Sequence, residues 1–544
     1  MSNFEIFVDT LVSLIGTENV VTSGDLFNQF STSTMKEQNK PLGILLPTSA
    51  KIVEQIVQAF NKNNFENIDT RYQLHPVGSG KNWGYTSSEP GASNTFILCL
   101  SKLNKIKDYD RELGTIRIEA GVTQKELFNF LTVENADHWM DATGSSEDCS
   151  VLANSLERGF GHTPAGNHFE FISDFDIILG NGKLISTGFR QFATSDKSYH
   201  SEGIYKWGVG PYADGLFSQS NFGVVVSATL KLMPAPDEYL PFFISTKNTK
   251  MLPELIDALR GLRNRSVIKS CVHITNLDKA LQAAIDETDW PPPGKALSAK
   301  LRQQYTREYM LSEWTASGAL YGSREEIDVW KKMIRRAFNT NQFNVKFISE
   351  KQFKTLRKIA PVAAKLSGTK IDRTLEKLNS LMKLKRGEPT NDFLKSVHYK
   401  VKNLPTDDDY TLLERNSVGL IWLAPTAPAT GQHAEKLTQI VSSTLAEFNV
   451  ESAISITLLS STAIECIVSL LYDRSQKDSD HLAEKCHNML LKKLLDEGYL
   501  TYRFNSFQHR DYAEYFSSEL VNHLKEVNSS LDPNSVLCGG RYGM

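Results

Sequence analysis

The stretch His75-Pro-Val-Gly-Ser-Gly-Lys-Asn-Trp-Gly-Tyr85 sets three glycines, Gly78, Gly80 and Gly84, within seven residues. A glycine-rich loop between two strands can turn successive backbone N–H groups toward one point, the geometry of a nest that binds a pyrophosphate. The spacing is neither GxGxxG nor GxxxxGK[ST], so the nicotinamide and P-loop fingerprints are absent. Two further small-residue segments strengthen the reading: Ser150–Pro164 (SVLANSLERGFGHTP) and Phe217–Val225 (FSQSNFGVV). Three such loops in one module point to an extended ligand lying along backbone.

Around these loops the periodicity is mixed. Ser49–Lys62 carries apolar residues at Ile52, Val53, Ile56, Val57 and Phe60, one face of a helix. Thr95–Leu100 is an apolar strand, and Thr115–Glu119 alternates before Thr123, a natural N-cap for a helix over Thr123–Leu131. Phe175–Leu179 and Lys183–Thr187 flank Gly180-Asn181-Gly182, a hairpin pattern. Val224–Leu232 is a strand ending at Met233-Pro-Ala-Pro236. Leu240–Ala283 and Val418–Leu470 each begin with a strand and continue into a helix, and Ser298–Ile359 repeats that pattern less clearly. The Lys- and Arg-rich Lys351–Leu404 has helical spacing and is expected to be a solvated excursion. Asp407-Asp408-Asp409 suits a surface turn. Tyr499 onward suggests a strand over TYRFN and one helix over Arg510–Val527.

The 544 residues predict two to four domains. With 40% hydrophobic and 23% charged residues the chain can build a large core, which excludes disorder and fibrous classes. A net charge of −3 leaves no basic excess for nucleic acid. Six scattered cysteines without a CxxC pair argue against zinc or disulfides, and His162 and His168 lack a third ligand at metal spacing. The N-terminus resembles an amphipathic helix and no stretch would span a membrane, so a cytoplasmic protein is expected.

The three loops, together with IRIEAGVTQKEL (Ile116–Leu127), GNHFEF (Gly166–Phe171) and YKWGVGPYADGLFSQSNFG (Tyr205–Gly223), resemble the vanillyl-alcohol oxidase / p-cresol methylhydroxylase flavoproteins. The resemblance runs from about Leu42 to Arg541 and is weakest over Asn276–Leu413. It implies an α+β enzyme with an FAD-binding domain at 1–238, a cap domain at 239–498, and a segment at 499–544 that returns to the FAD domain. Gly78, Ser79, Gly80, Lys81, Asn82, Trp83 and Gly84 would hold the pyrophosphate. Ser145, Cys149, Ser150, Asn154, Gly159, Gly161, His162, Gly223 and Val225 would line the cofactor.

The same resemblance assigns Tyr85, Tyr502, Arg503 and Arg541 to phenolate binding and the flavin edge, Arg503 and Arg541 touching both. The chemistry is coherent. Keeping a phenol of pKa near 10 ionised at pH 7 requires about 4 kcal/mol. Two tyrosyl hydroxyls and a guanidinium, each contributing ~1.5–3 kcal/mol to a charged acceptor, suffice. The expected reaction is loss of a benzylic hydride to flavin N5 through a quinone methide. A small phenolic or alcohol substrate, oxygen or a redox carrier as acceptor, and a homo-oligomeric assembly complete the expectation.

Two departures qualify it. Leu420, in LIWLAP, occupies the place of the flavin-linking histidine, so the FAD is expected to be non-covalent, with Tyr410 the nearest tyrosyl candidate for a covalent link. The acid of the oxidase branch is replaced by Ser145, with Glu147 and Asp148 adjacent. Oxidation of another alcohol or natural-product intermediate, and a non-catalytic flavin-binding module, stand as alternatives.

Overall fold

The computed structural model describes residues 2–37, 39–194, 197–292, 294–401 and 410–544. The acidic run at 407–409 lies outside them. Ser49 caps the Ala50–Glu66 helix by accepting from the Ile52 N–H at 3.3 Å. The apolar stripe read from the sequence is buried: Val53, Ile56, Val57 and Phe60 are at zero exposure. It packs on a four-stranded sheet of β1 (Val20–Val21), β2 (Gly43–Leu45), β3 (Gln73–Val77) and β4 (Thr95–Cys99), in the order β1-β2-β4-β3. β2 and β3 both run parallel to β4, so the glycine loop leaves the end of β3 at the sheet's carboxyl edge.

A second, antiparallel sheet carries β5 (Ile106–Asp110) and β6 (Thr115–Glu119). A short ribbon strand, β7 (His138–Trp139), then precedes β8 (Ile172–Ile178), β9 (Leu184–Ser186) and β10 (Val224–Lys231), and β7 pairs with β11 (Met233–Pro234). The sheet order is β5-β6-β10-β8-β9. Thr123 and Glu126 form a reciprocal capping box at the Gln124–Val133 helix. The β8–β9 hairpin turns at Gly182, whose φ of +80° is a conformation glycine adopts without steric cost.

The third sheet is the largest. Its strands are β12 (Glu238–Thr246), β13 (Val272–Asn276), β14 (Trp314–Gly322), β15 (Asn344–Phe347), β16 (Val418–Leu423), β17 (Thr426–Pro428), β18 (Ile454–Leu458) and β19 (Ala463–Asp473). They run β15-β12-β14-β13-β18-β19-β16, with β17 also on β19. Its two faces differ because side chains alternate along each strand. Ile244, Ala316, Ile274, Ile456, Val468 and Ile421 enter one core with the helices Leu252–Asn264, Arg324–Ala337, Gly431–Glu447 and Ser479–Asp496. The alternate positions, among them Ser245, Thr315, His273, Thr275, Ser455 and Ser469, face a cavity.

Three sequence expectations need correction. The Lys/Arg-rich region forms the helices Glu350–Ser367 and Ile371–Leu384, and the second is no solvated excursion: Thr374, Leu378, Leu381 and Leu384 wall the cavity. TYRFN makes one bridge, Thr501 to Pro425, instead of a strand. The helix expected over Arg510–Val527 is broken into Ser506–Arg510, Tyr512–Tyr515 and Glu519–Leu531, the last restarted by a Ser518 cap. Beyond it, Leu537 bridges Leu74 of β3, and the Asp532 carboxylate accepts from the Val536 and Leu537 N–H groups at 2.8 and 2.7 Å. No helix among the described residues is long and apolar enough to cross a membrane.

Candidate active site

A cavity of about 1090 Å³ runs from the glycine loop to the polar face of the large sheet. Gly78, Ser79, Gly80, Lys81, Asn82, Trp83 and Tyr85 line it on one side. Ser145, Cys149, Ser150, Asn154, Gly159, His162, Gly223 and Val225 line it on another. Gly84 and Gly161 do not face it but are forced by packing. A Cβ on Gly84 would meet Leu420 and Trp422 at 3.0 Å, and one on Gly161 would lie 1.7 Å from Asp141 Oδ2. A Cβ on Gly78 would meet Ala153 and Ser150 at 2.9 Å, so the loop passes these small residues as bare backbone. With Asn221 Oδ1 and His162 Nδ1 buried and unpartnered on the lining, this groove fits an elongated polar group.

Tyr85, Tyr502 and Arg503, more than 400 positions apart in sequence, converge. The Tyr502 and Tyr85 side chains interact, and the Arg503 guanidinium lies 4.4 Å from the Tyr85 ring centroid. Trp422 meets Tyr85 edge-on at 5.5 Å. Burial pushes the Tyr85 hydroxyl up to about 12 and Tyr502 well above its ordinary value, although Arg503 pulls both down. Both tyrosines therefore stay protonated and able to donate.

Arg541 joins them through Glu157, which sequence reasoning missed although it stands inside the quoted SVLANSLERG. Glu157 Oε1 accepts from Arg541 at 2.8 Å, and its Oε2 lies 3.6 Å from Arg503 Nε and accepts from the Tyr542 hydroxyl at 3.0 Å. Burial raises its pKa, but Arg541 and then Arg503 outweigh that and hold it at about 2. Two guanidiniums against one carboxylate leave a net positive charge in the interior. His75 and His509 beside them stay neutral, burial and Arg541 taking His75 down to about 4 and His509 well below its usual value.

A second missed carboxyl is Glu465 on β19, 6% exposed, accepting from Thr426 Oγ1 at 2.8 Å. Burial raises it to about 8, so it is neutral at pH 7 and adds no repulsion to an anion near the tyrosines. A lone acid in the apolar AIECIVSLL was its only sequence signal. Ser145 donates to the Lys81 carbonyl at 3.3 Å, while Glu147 pairs with Lys125 at 2.7 Å and is turned to that lysine. Leu420 is buried behind the loop, and Tyr410 packs beside the cluster of Trp83, Leu413 and Leu420. Cys149 has its thiol raised by burial to about 11, and all six cysteines are buried and unpaired.

Residues 41–188 match the sequence profile of an FAD binding domain. The chain is 28% identical to a 1'-carboxy-chondrochloren decarboxylase of Chondromyces crocatus over 536 residues, covering 97% of this chain and 95% of that protein. It is 26% identical to the flavoprotein subunit of a hydroxylating 4-cresol dehydrogenase of Pseudomonas putida, covering 98% and 94%. The crystal structure of a p-cresol methylhydroxylase with substrate bound superposes with a TM-score of 0.85 at 23% identity, covering 99% and 97%. Residues 41–188 are thus an FAD-binding domain. The flavoprotein is an FAD-dependent oxidoreductase of α+β fold, as its sequence implied, and the glycine loop and the Ser150–His162 segment line one groove of the cavity.

Proposed function

We propose that this flavoprotein oxidises a para-substituted phenol, held as its phenolate by Tyr85, Tyr502 and Arg503. The observation that carries this is the convergence of two protonated tyrosines with a guanidinium pair that one carboxylate, Glu157, only half neutralises. Each charge-assisted hydrogen bond contributes ~1.5–3 kcal/mol, against the ~4 kcal/mol needed to ionise a phenol at pH 7. Trp422 and Phe160, whose rings lie 5.5 Å from Tyr85 and 6.1 Å from Tyr502, supply apolar walls that keep water out. FAD bound in the groove supplies the hydride acceptor for the benzylic carbon. Arg541, fixed by Glu157, is proposed to stabilise negative charge at the cofactor's edge. The resulting quinone methide takes up water or leaves as an unsaturated product.

Oxygen is the proposed electron acceptor: a Cβ added at Gly144 would meet only Leu384 at 3.5 Å and His162 at 3.9 Å, which leaves room for a small molecule. Stopped-flow reoxidation by air tests this, and a reduced flavin stable in air refutes it. The decarboxylase relative favours a second reading of the same site, in which the quinone methide of a carboxylated substrate loses carbon dioxide instead of adding water. For the main reading, Tyr502→Phe is expected to lower turnover of 4-ethylphenol by about tenfold to a hundredfold while flavin content holds. Unchanged turnover would overturn the phenolate model.

A further inference from the structure

Lys279 is the third residue of the Leu277–Ala284 helix, its N–H capped by Asn276 Oδ1 at 3.0 Å. A cation in a first turn opposes the helix dipole. The half-buried side chain lines the cavity, and Nζ donates to Ser469 Oγ at 3.0 Å. Among the described residues it makes no ion pair, and burial alone depresses it to about 8. Lys400, another buried lysine, is by contrast paired with Glu451 at 2.5 Å. The neighbouring acid, Asp278, is turned away to Arg302 at 2.7 Å. Lys279 is thus an uncompensated cation facing an empty space.

Its position relative to the tyrosines is fixed by β19. Ser469 is paired with Trp422, whose ring meets Tyr85. Glu465, near enough to act on both Tyr85 and Tyr502 once ionised, stands four residues before Ser469 on the same side of the strand. At about 3.3 Å per residue the two backbone positions are ~13 Å apart. Between them Ile467 presents the only intervening side chain on that side, and it is apolar. The wall therefore runs from phenol donors through an apolar stretch to a cation. Glu157, already held by two arginines, is the one carboxylate lining the cavity among the described residues, while Lys81, Lys346, Lys377 and Arg335 add further positive charge. Such a cavity attracts anions.

We propose that Lys279 and Ser469 form an anion subsite for a carboxylate at the far end of the substrate's para side chain, making the substrate a phenolic acid. This rests on the phenol reading above and narrows it.

The test is anaerobic titration of the holoenzyme with ω-(4-hydroxyphenyl)alkanoates, from the propanoate to the pentanoate, against neutral 4-alkylphenols of equal length, followed by the flavin spectrum. At least one acid is expected to half-saturate at tenfold or lower concentration than its neutral counterpart. Lys279→Met should abolish that preference, a change of about tenfold to a hundredfold in the ratio of the two affinities, and Lys279→Arg should keep part of it. No preference in the wild type, or a preference that survives Lys279→Met, overturns the subsite alone, since both phenols still bind. If no phenol perturbs the spectrum, the phenol reading itself fails. The ligand-free Lys279→Met protein should melt no lower than wild type, because a cation without a partner has been removed. A drop of several degrees would make Lys279 a structural residue and overturn the subsite.

Discussion

Replacing Glu157 with glutamine separates two effects that the site combines. The carboxylate accepts from Arg541 at 2.8 Å and from the Tyr542 hydroxyl at 3.0 Å, and faces Arg503 at 3.6 Å, with its side chain 16% exposed. Its pKa of about 2, against 4.5 ordinarily, corresponds to roughly 3 kcal/mol of stability. That agrees with the ~3–5 kcal/mol expected when one partner of a buried ion pair is removed. Because the folded-state value is depressed, this stability is fully present above about pH 4.5 and is lost as pH falls toward 2. Glu157→Gln should therefore melt well below wild type at pH 7, and the gap should close on acidification through that window. The same change leaves both guanidiniums uncompensated, so a bound 4-alkylphenol should ionise at lower pH than in wild type. Calorimetry between pH 3 and 7 and a spectral titration of bound phenol measure the two effects. Equal melting temperatures at pH 7, a pH-independent gap, or a raised phenol pKa would refute the reasoning.

Glu465→Gln should act in the opposite sense on stability. The folded-state pKa is raised to about 8, so the wild-type carboxyl costs nothing below about pH 4.5 and increasingly destabilises the fold as pH rises toward 8. The glutamine variant should match wild type near pH 4 and melt higher at pH 8, and equal curves at both would show the acid to be solvated. Gly78→Ala drives a methyl to 2.9 Å from Ala153 and Ser150, so the purified variant should carry little flavin by absorbance, full occupancy counting against the cradle. With Leu420 at the linking position, acid precipitation should leave the flavin in the supernatant, and a yellow pellet would show a covalent bond.

Elements governed by local chemistry were legible in the sequence. Thr123 caps its helix, Asn181-Gly182 turns its hairpin and Thr115–Glu119 forms its strand, each because nearest neighbours decide the outcome. The glycine loop was legible for the same reason. Misreadings arose where tertiary contacts decided. The Ile371–Leu384 helix looked solvated because it lies in a Lys- and Arg-rich run and carries Arg373, Lys377 and Lys383, yet its apolar edge walls the cavity. Tyr502 and Arg503 leave the expected strand to reach Tyr85, so no ladder forms there. Glu157, Glu465 and Lys279 escaped notice because an isolated charge in a sequence is ordinarily a surface residue. Only the fold shows Glu157 and Lys279 on the cavity wall and Glu465 buried.

The late segment that bridges Leu537 to Leu74 and brings Arg541 onto Glu157 has a consequence for biosynthesis. A nascent chain that has delivered only the glycine loop and the second sheet has neither guanidinium, nor Tyr502, against which a flavin could settle. If the flavin depends on these groups as proposed, the site is complete only once the segment carrying Arg541 has been made and docked on Glu157, so its assembly waits on a late stretch of the sequence.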